Sequence, residues 1–254
     1  MTSSILVTGG TGTLGGHVVP LLRDAGCKVR VLSRHSRESG DGIEYVTGDL
    51  LKGEGIEAAV DGVEIILHLA GGPKGDEEAT RNLVRAASRA AGVRHLVCIS
   101  VVGADKVPLG YFKSKLGAER AVAESGLPWT TLRAAQFHDL ALTVVEKMAK
   151  LPVIPVPGGL RFQPVDSREV AARLVELTLG KPAGLVPDLA GPKVYGMADL
   201  SRGYLQARGK RRPMMPVRMP GKAGRAYRAG ENLSLEGAAV GRRTWEDFLA
   251  ERLR

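Results

Sequence analysis

The sequence predicts a doubly wound α/β fold built on a parallel sheet, with a small C-terminal cap. Three observations carry that prediction. Short β-branched runs alternate with helix-length segments through the first half of the chain. Several of these runs are apolar at consecutive positions, as strands covered on both faces should be. The first run leads directly into a glycine-rich turn, Thr8-Gly9-Gly10-Thr11-Gly12-Thr13-Leu14-Gly15, with helix-forming sequence behind it.

Taken in order, Ile5 to Thr8, Val29 to Ser33, Ile43 to Val46, Val63 to Leu69, His95 to Ser100 and Trp129 to Arg133 read as strands. Between the fourth and fifth, Ala79, Leu83, Val84 and Ala87 recur at helical spacing. Asp76, Glu77 and Glu78 precede them and Gly92 follows, the acids suiting the positive end of a helix and the glycine its other end. The texture changes near residue 150. Leu151 to Gly159 carries three prolines and two glycines and reads as a loop or an interrupted edge. Asp166-Ser167-Arg168-Glu169 looks like a capping box opening a helix over Val170 to Leu179. A short strand is expected beyond Pro182, then a helix around Ala198 to Ala207. A last helix near Thr244 to Leu253 would bury Trp245, Phe248 and Leu249 on one face. The expected organisation is a dinucleotide-binding core over residues 1–150. Residues 151–254 would return partly to that core and form a cap.

Composition narrows the function classes. The chain has 254 residues, 44% hydrophobic and 25% charged, the proportions of an ordinary globular protein. No apolar run approaches the roughly 20 residues needed to span a bilayer. The first strand begins almost at Met1, which leaves no room for a signal peptide. Cys27 and Cys98 stand far apart in apolar settings, which fits a reducing, cytoplasmic compartment. The net charge of +9 invites a nucleic-acid reading, but nine bases and no acid lie between Ser201 and Gly230, so the rest of the chain is balanced. Aromatic residues make up only 4%, little material for stacking bases. Two readings stand for the nine bases: a solvated lid surface, or a docking site for an anionic substrate or a protein. Met214, Met215 and Met219 either line a pocket or pack the cap onto the core. The five histidines show no metal-ligand spacing, and no metal site is expected.

The glycine turn has the strongest mechanism. It satisfies G-x-G-x-x-G straight after a strand and ahead of a helix, the context of a Rossmann dinucleotide site. One glycine permits the tight turn, one lets the backbone approach a pyrophosphate, and one lets helix and strand pack closely. The pyrophosphate then sits on the helix N-terminus. At the end of the second strand, an NAD site usually places an acid and an NADP site a cation. Here Ser33-Arg34-His35-Ser36-Arg37 offers Arg34, whose planar fork suits a 2′-phosphate, so NADP(H) is the expected cofactor. Tyr111-Phe112-Lys113-Ser114-Lys115 follows the fifth strand. On a helix, Tyr111 and Lys115 would lie one turn apart on one face. The ammonium would lower the phenol's pKa and make Tyr111 a proton donor to a carbonyl.

These motifs, with Gly48-Asp49-Leu50, Leu67-His68-Leu69-Ala70-Gly71 and Thr80-Arg81-Asn82-Leu83, resemble the short-chain dehydrogenase/reductase superfamily. Leu127-Pro128-Trp129-Thr130-Thr131-Leu132-Arg133, Gln136-Phe137-His138-Asp139 and Phe162-Gln163-Pro164-Val165-Asp166 are similar to its atypical, NmrA-like branch. The resemblance implies that Gly9, Gly12, Thr13 and Leu14 hold the pyrophosphate and that Arg34 meets the 2′-phosphate. It implies that Asp49 and Leu50 flank adenine, that Ala70 and Gly71 border the adenosine side, and that Lys115 binds the nicotinamide ribose. Gln136, Phe137 and Phe162 would border a small-molecule substrate. The implied function is reduction of a carbonyl, enone or quinone-like molecule by hydride transfer, with Tyr111 and Lys115 catalytic. The chain departs from the pattern after the fifth strand: Ser100 stands at the strand end, one or two positions before the place of the usual serine or threonine, which Val101 or Val102 occupies. Some NmrA-like proteins are cofactor sensors, so a non-catalytic NADP(H)-binding regulator is the alternative. Monomer and homodimer are equally compatible with the sequence.

Overall fold

In a computed structural model, which describes residues 3–72 and 74–253, the first elements are β1 (Ser4–Thr8), α1 (Thr13–Asp24), β2 (Lys28–Ser33), β3 (Ile43–Thr47), α2 (Ile56–Val60), β4 (Ile65–His68), α3 (Asp76–Ala87), β5 (His95–Val101), α4 (Gly110–Ala123) and β6 (Trp129–Ala134). There follow α5 (His138–Met148), β7 (Ile154–Pro157), β8 (Arg161–Phe162), α6 (Ser167–Leu179), β9 (Gly184–Leu185), β10 (Leu189–Ala190), β11 (Tyr195–Gly196), α7 (Met197–Ala207), β12 (Met214–Val217), α8 (Gly221–Ala229), β13 (Ala239–Val240) and α9 (Trp245–Arg252). The chain divides into two compact units, each assembled from three stretches rather than by one cut near residue 150. No helix among the described residues is long and apolar enough to cross a membrane.

The first unit comprises the chain up to Ser100, Lys113–Leu132 and Val170–Val186. Its strands run in the order β3-β2-β1-β4-β5-β6, with β9 beside β6. β1 pairs in parallel with β2 (Ile5 opposite Val29) and with β4 (Ile5 opposite Ile65). The order reverses at β1. In an open α/β sheet the crevice at the carboxyl ends of the strands beside such a reversal is where ligands bind. Burial explains the unbroken apolar runs: Ile5, Leu6, Val7, Ile66 and Leu67 are fully enclosed. Leu83 and Ala87 of α3 and Val122 of α4 pack on Leu6, Ile66 and Leu96.

The second unit comprises Val101–Phe112, Arg133–Glu169 and the chain from Pro187 onward. Here Ala134 of β6 pairs with Leu189 of β10, which pairs with β13. The proline-rich segment expected as a loop or an interrupted edge contains β7, which pairs in parallel with β12. Two of the three prolines lie within β7, whose burial alternates, with Ile154 and Val156 inward. The basic stretch supplies β12 and α8. Within it Met214 packs on the core while Met215 is exposed. Trp245, Phe248 and Leu249 are buried as one face of α9, and Thr244 caps that helix in a reciprocal box with Asp247. The box expected at the start of α6 is only half formed. Asp166 Oδ1 accepts the Arg168 backbone N–H, but the Glu169 carboxylate turns away to accept the N–H of Arg242.

Candidate cofactor and acceptor sites

The cofactor residues expected from the sequence lie in the first unit. Gly9 has φ of +70° and approaches the β4–α3 loop so closely that a Cβ would fall 2.6 Å from Ala70 N. A Cβ on Gly15 would fall 2.4 Å from the backbone of Gly10 and Gly9, so helix α1 and the turn touch through glycine alone. Gly12 is the N-cap of α1. It supplies no side-chain cap, and the first turn holds no acid. A helix start with no side-chain cap and no acid in its first turn offers N–H groups that can receive a phosphate. Thr13 is exposed at that start, whereas Leu14 is buried beneath it.

The residues around this cradle are fixed by short contacts. Thr8 Oγ1 lies 2.7 Å from His68 Nδ1 and accepts the Ala70 N–H at 3.3 Å. His68 Nε2 lies 2.9 Å from Thr80 Oγ1. Burial, reinforced by the Lys115 ammonium, lowers the His68 pKa to about 4, so the ring is neutral and holds β1 to α3. Arg34 is exposed just past β2. Asp49 uses Oδ1 to accept the Leu51 N–H at 2.9 Å, and Leu50 packs its side chain into the core. Lys115 is brought against Gly71: a Cβ there would fall 2.6 Å from the ammonium nitrogen.

Asp76, which the sequence offers only as a helix-start acid, has a second role. It is buried, its Oδ2 lies 2.8 Å from Lys115 Nζ, and its Oδ1 accepts the Gly72 N–H at 2.7 Å. The contact with lysine is one of charge rather than an aligned hydrogen bond. Cys98 is buried nearby in β5, and burial pushes its thiol up to about 12, leaving it unreactive.

The expected acceptor residues lie in the second unit, as does Tyr111, the second residue of α4 and one turn ahead of Lys115 on that helix. The Tyr111 and Phe112 rings meet edge to face at 5.5 Å, Phe112 meets Tyr227 at 6.4 Å, and Tyr227 meets Phe162 at 5.7 Å. Tyr227 was not singled out in the sequence; an aromatic on a basic helix of an aromatic-poor chain was the available signal. Burial raises its phenol pKa, and the Tyr111 phenol adds to the rise. Phe137 bridges Val165 in parallel pairing. Val101 and Val102 are both buried, and Val102 N–H donates to the Ala134 carbonyl at 3.0 Å.

A parallel sheet reversing at β1, with a glycine turn and an uncapped helix start at that reversal, defines a dinucleotide-binding protein of the Rossmann class. A family model described as NAD(P)H-binding matches residues 9–177, and the chain belongs to that NAD(P)H-binding family. The (4-alkanoyl-5-oxo-2,5-dihydrofuran-3-yl)methyl phosphate reductase of Streptomyces griseus is 34% identical over 182 residues, 69% of this chain and 63% of that protein. The match therefore spans less than two thirds of that relative's length. The NAD(P)H azoreductase of Xenophilus azovorans is 27% identical over 216 residues, 81% of this chain and 74% of the other. An NADPH-dependent quinone oxidoreductase of Escherichia coli, solved with NADPH, shares the fold with a TM-score of 0.84 at 20% identity, covering 98% of this chain and 100% of that one. The expected NAD(P)-binding family and the Rossmann fold are thereby borne out.

Proposed function

We propose that the protein is an NADPH-dependent reductase of a carbonyl, enone or quinone-like small molecule. The observation that carries this reading is the helix α4, which sets Tyr111 one turn ahead of a lysine whose ammonium is fixed at the cofactor cradle. When bound, NADPH supplies the hydride. Gly9, Gly12, Thr13 and Leu14 offer backbone to its pyrophosphate, Arg34 pairs with the 2′-phosphate, and Asp49, Leu50, Ala70 and Gly71 border the adenosine half. Lys115 holds the nicotinamide ribose and favours the tyrosinate form of Tyr111. Tyr111 gives its proton to the acceptor oxygen. Gln136, Phe137 and Phe162 border the acceptor, and the ring cluster of Phe112, Tyr227 and Phe162 suits a flat conjugated molecule. Two relatives named as reductases support the same class of activity.

A non-catalytic NADP(H)-binding regulator is favoured by one observation, the two buried valines where a hydroxyl is usual. The test follows NADPH absorbance against a panel of quinones, enones, aldehydes and ketones. Acceptor-dependent oxidation is the expected result. A protein that binds NADPH and reduces nothing on the panel favours the regulator.

A further inference from the structure

Helices α5 and α7 belong to the second unit and pack together, with Val145 and Tyr204 in one apolar cluster. Each helix runs into a turn, 149–153 after α5 and 208–213 after α7, and each turn leads into a strand of the two-stranded β7–β12 sheet. The turns lie side by side. Arg208 Nη2 stands 3.9 Å from Glu146 Oε1 where they begin, and the Ile154 N–H donates to the Pro213 carbonyl at 2.9 Å where they end. Between those contacts every residue from Lys150 to Val153 and from Gly209 to Pro213 is exposed. The charge of this surface is one-sided. Lys150, Lys210, Arg211 and Arg212 have no carboxylate within ion-pair distance among the described residues. No acid occurs from Lys147 to Val165 or from Leu200 to Gly230. Beside the cations, Leu151 and Val153 are 45% and 40% exposed.

The chemistry of the two turns selects among anionic partners. A protein strand cannot extend the sheet at β7. The Ile154 N–H points toward β12, successive N–H positions alternate, and Pro155 and Pro157 therefore fall on the open edge, which offers no donor. Neither turn carries an aromatic residue on which a nucleic-acid base would stack. An anionic bilayer needs neither feature. It attracts Lys and Arg held close to its surface, and it takes up aliphatic side chains at the boundary between headgroups and acyl chains. We propose that this double turn docks the protein on a membrane surface of anionic lipid. Lys150, Lys210, Arg211 and Arg212 lie over the headgroups, and Leu151 and Val153 enter the interface. The docking is peripheral, and it does not depend on the reductase reading.

Vesicle flotation tests this on the full chain. Wild type should float with vesicles of phosphatidylcholine mixed with phosphatidylglycerol and not with phosphatidylcholine alone. Binding should fall steeply as salt is raised and the Debye length shrinks. Each Lys or Arg close to an anionic bilayer strengthens partitioning about fivefold, so joint Arg211→Ala and Arg212→Ala should weaken it about 25-fold. Joint Leu151→Ser and Val153→Ser should weaken it about tenfold by removing the aliphatic groups that insert. All four positions are exposed turn residues, so the thermal midpoint should stay at the wild-type value. The lipid and salt comparisons use wild type alone and decide even where a variant is unstable. Failure of wild type to bind the anionic vesicles at low salt overturns the proposal. So does vesicle binding that either double variant retains in full. Tight binding to polyglutamate or RNA, with none to the vesicles, marks a site for a soluble polyanion and overturns it too.

Discussion

The ammonium of Lys115 lies 2.8 Å from Oδ2 of Asp76, with both side chains more than nine-tenths buried. Taking two charges out of water is costly, and their mutual attraction offsets that only while both are present. Asp76→Asn removes the carboxylate charge that lies beside the buried lysine ammonium. The variant should unfold at lower denaturant, by about 3–5 kcal/mol in chemical denaturation. An undiminished stability would show that the ammonium relocates to another partner at no cost.

Gly71 is the floor under that ammonium. A Cβ at residue 71 would sit 2.6 Å from Lys115 Nζ, far inside van der Waals contact. Gly71→Ala should displace the lysine head and weaken NADPH by about tenfold, since one charge-assisted hydrogen bond is worth about 1.5–3 kcal/mol. Fluorescence titration with NADPH measures it. Binding equal to wild type would place the ribose elsewhere.

Arg34 is exposed just past the end of β2, and its planar guanidinium fork suits a phosphate. Arg34→Ala should weaken NADPH by at least tenfold and leave NADH nearly untouched, read as two dissociation constants in the same buffer. Equal losses for both cofactors would make Arg34 an ordinary surface arginine.

The core and the glycine turn were legible because each depends on local pattern. Ile5 to Val7 had to be enclosed on both faces, and Gly9, Gly12 and Gly15 are residues whose lack of a side chain is itself the signal. Pairings set by distant chain were not legible. The prolines of Leu151 to Gly159 left a loop and an interrupted edge both open, and Ile154 to Pro157 finds its parallel partner some sixty residues on, in Met214 to Val217. Glu169 was at the right spacing for a capping box, but the Arg242 N–H competes for its carboxylate. Asp76 read as a helix-start acid because helix spacing cannot reveal that Lys115 arrives beside it from α4. Tyr227 was hidden by the charges around it, and its rings partners come from two other elements.

Tyr111→Phe removes the proposed proton donor while keeping the ring that packs edge to face on Phe112. Turnover should fall by 10²-fold or more, the contribution typical of general acid catalysis, with NADPH affinity nearly unchanged. Steady-state rates and a binding titration on the same preparation decide it. Undiminished turnover would remove Tyr111 from the chemistry.

The stability of the protein should fall in two stages as the solution is acidified. Burial holds His68 and His138 near pKa 4 in the fold, against 6.5 for a free ring. The unfolded chain therefore binds protons that the folded chain refuses, so stability is full above about pH 6.5 and declines as pH falls toward 4. Asp166 acts lower down. Burial alone would raise its pKa, but the Arg168 and Arg243 guanidiniums outweigh that and hold it at about 2, against 3.8 free. Its contribution is present above about pH 4 and is lost as pH falls toward 2. Denaturation midpoints measured from pH 7.5 down to pH 3 should show the first decline in wild type and a shallower one in His68→Asn. That variant keeps hydrogen-bonding capacity toward Thr8 and Thr80 but has no group that titrates in the window. A profile flat between pH 6.5 and 4 would mean that the buried rings accept protons in the fold after all.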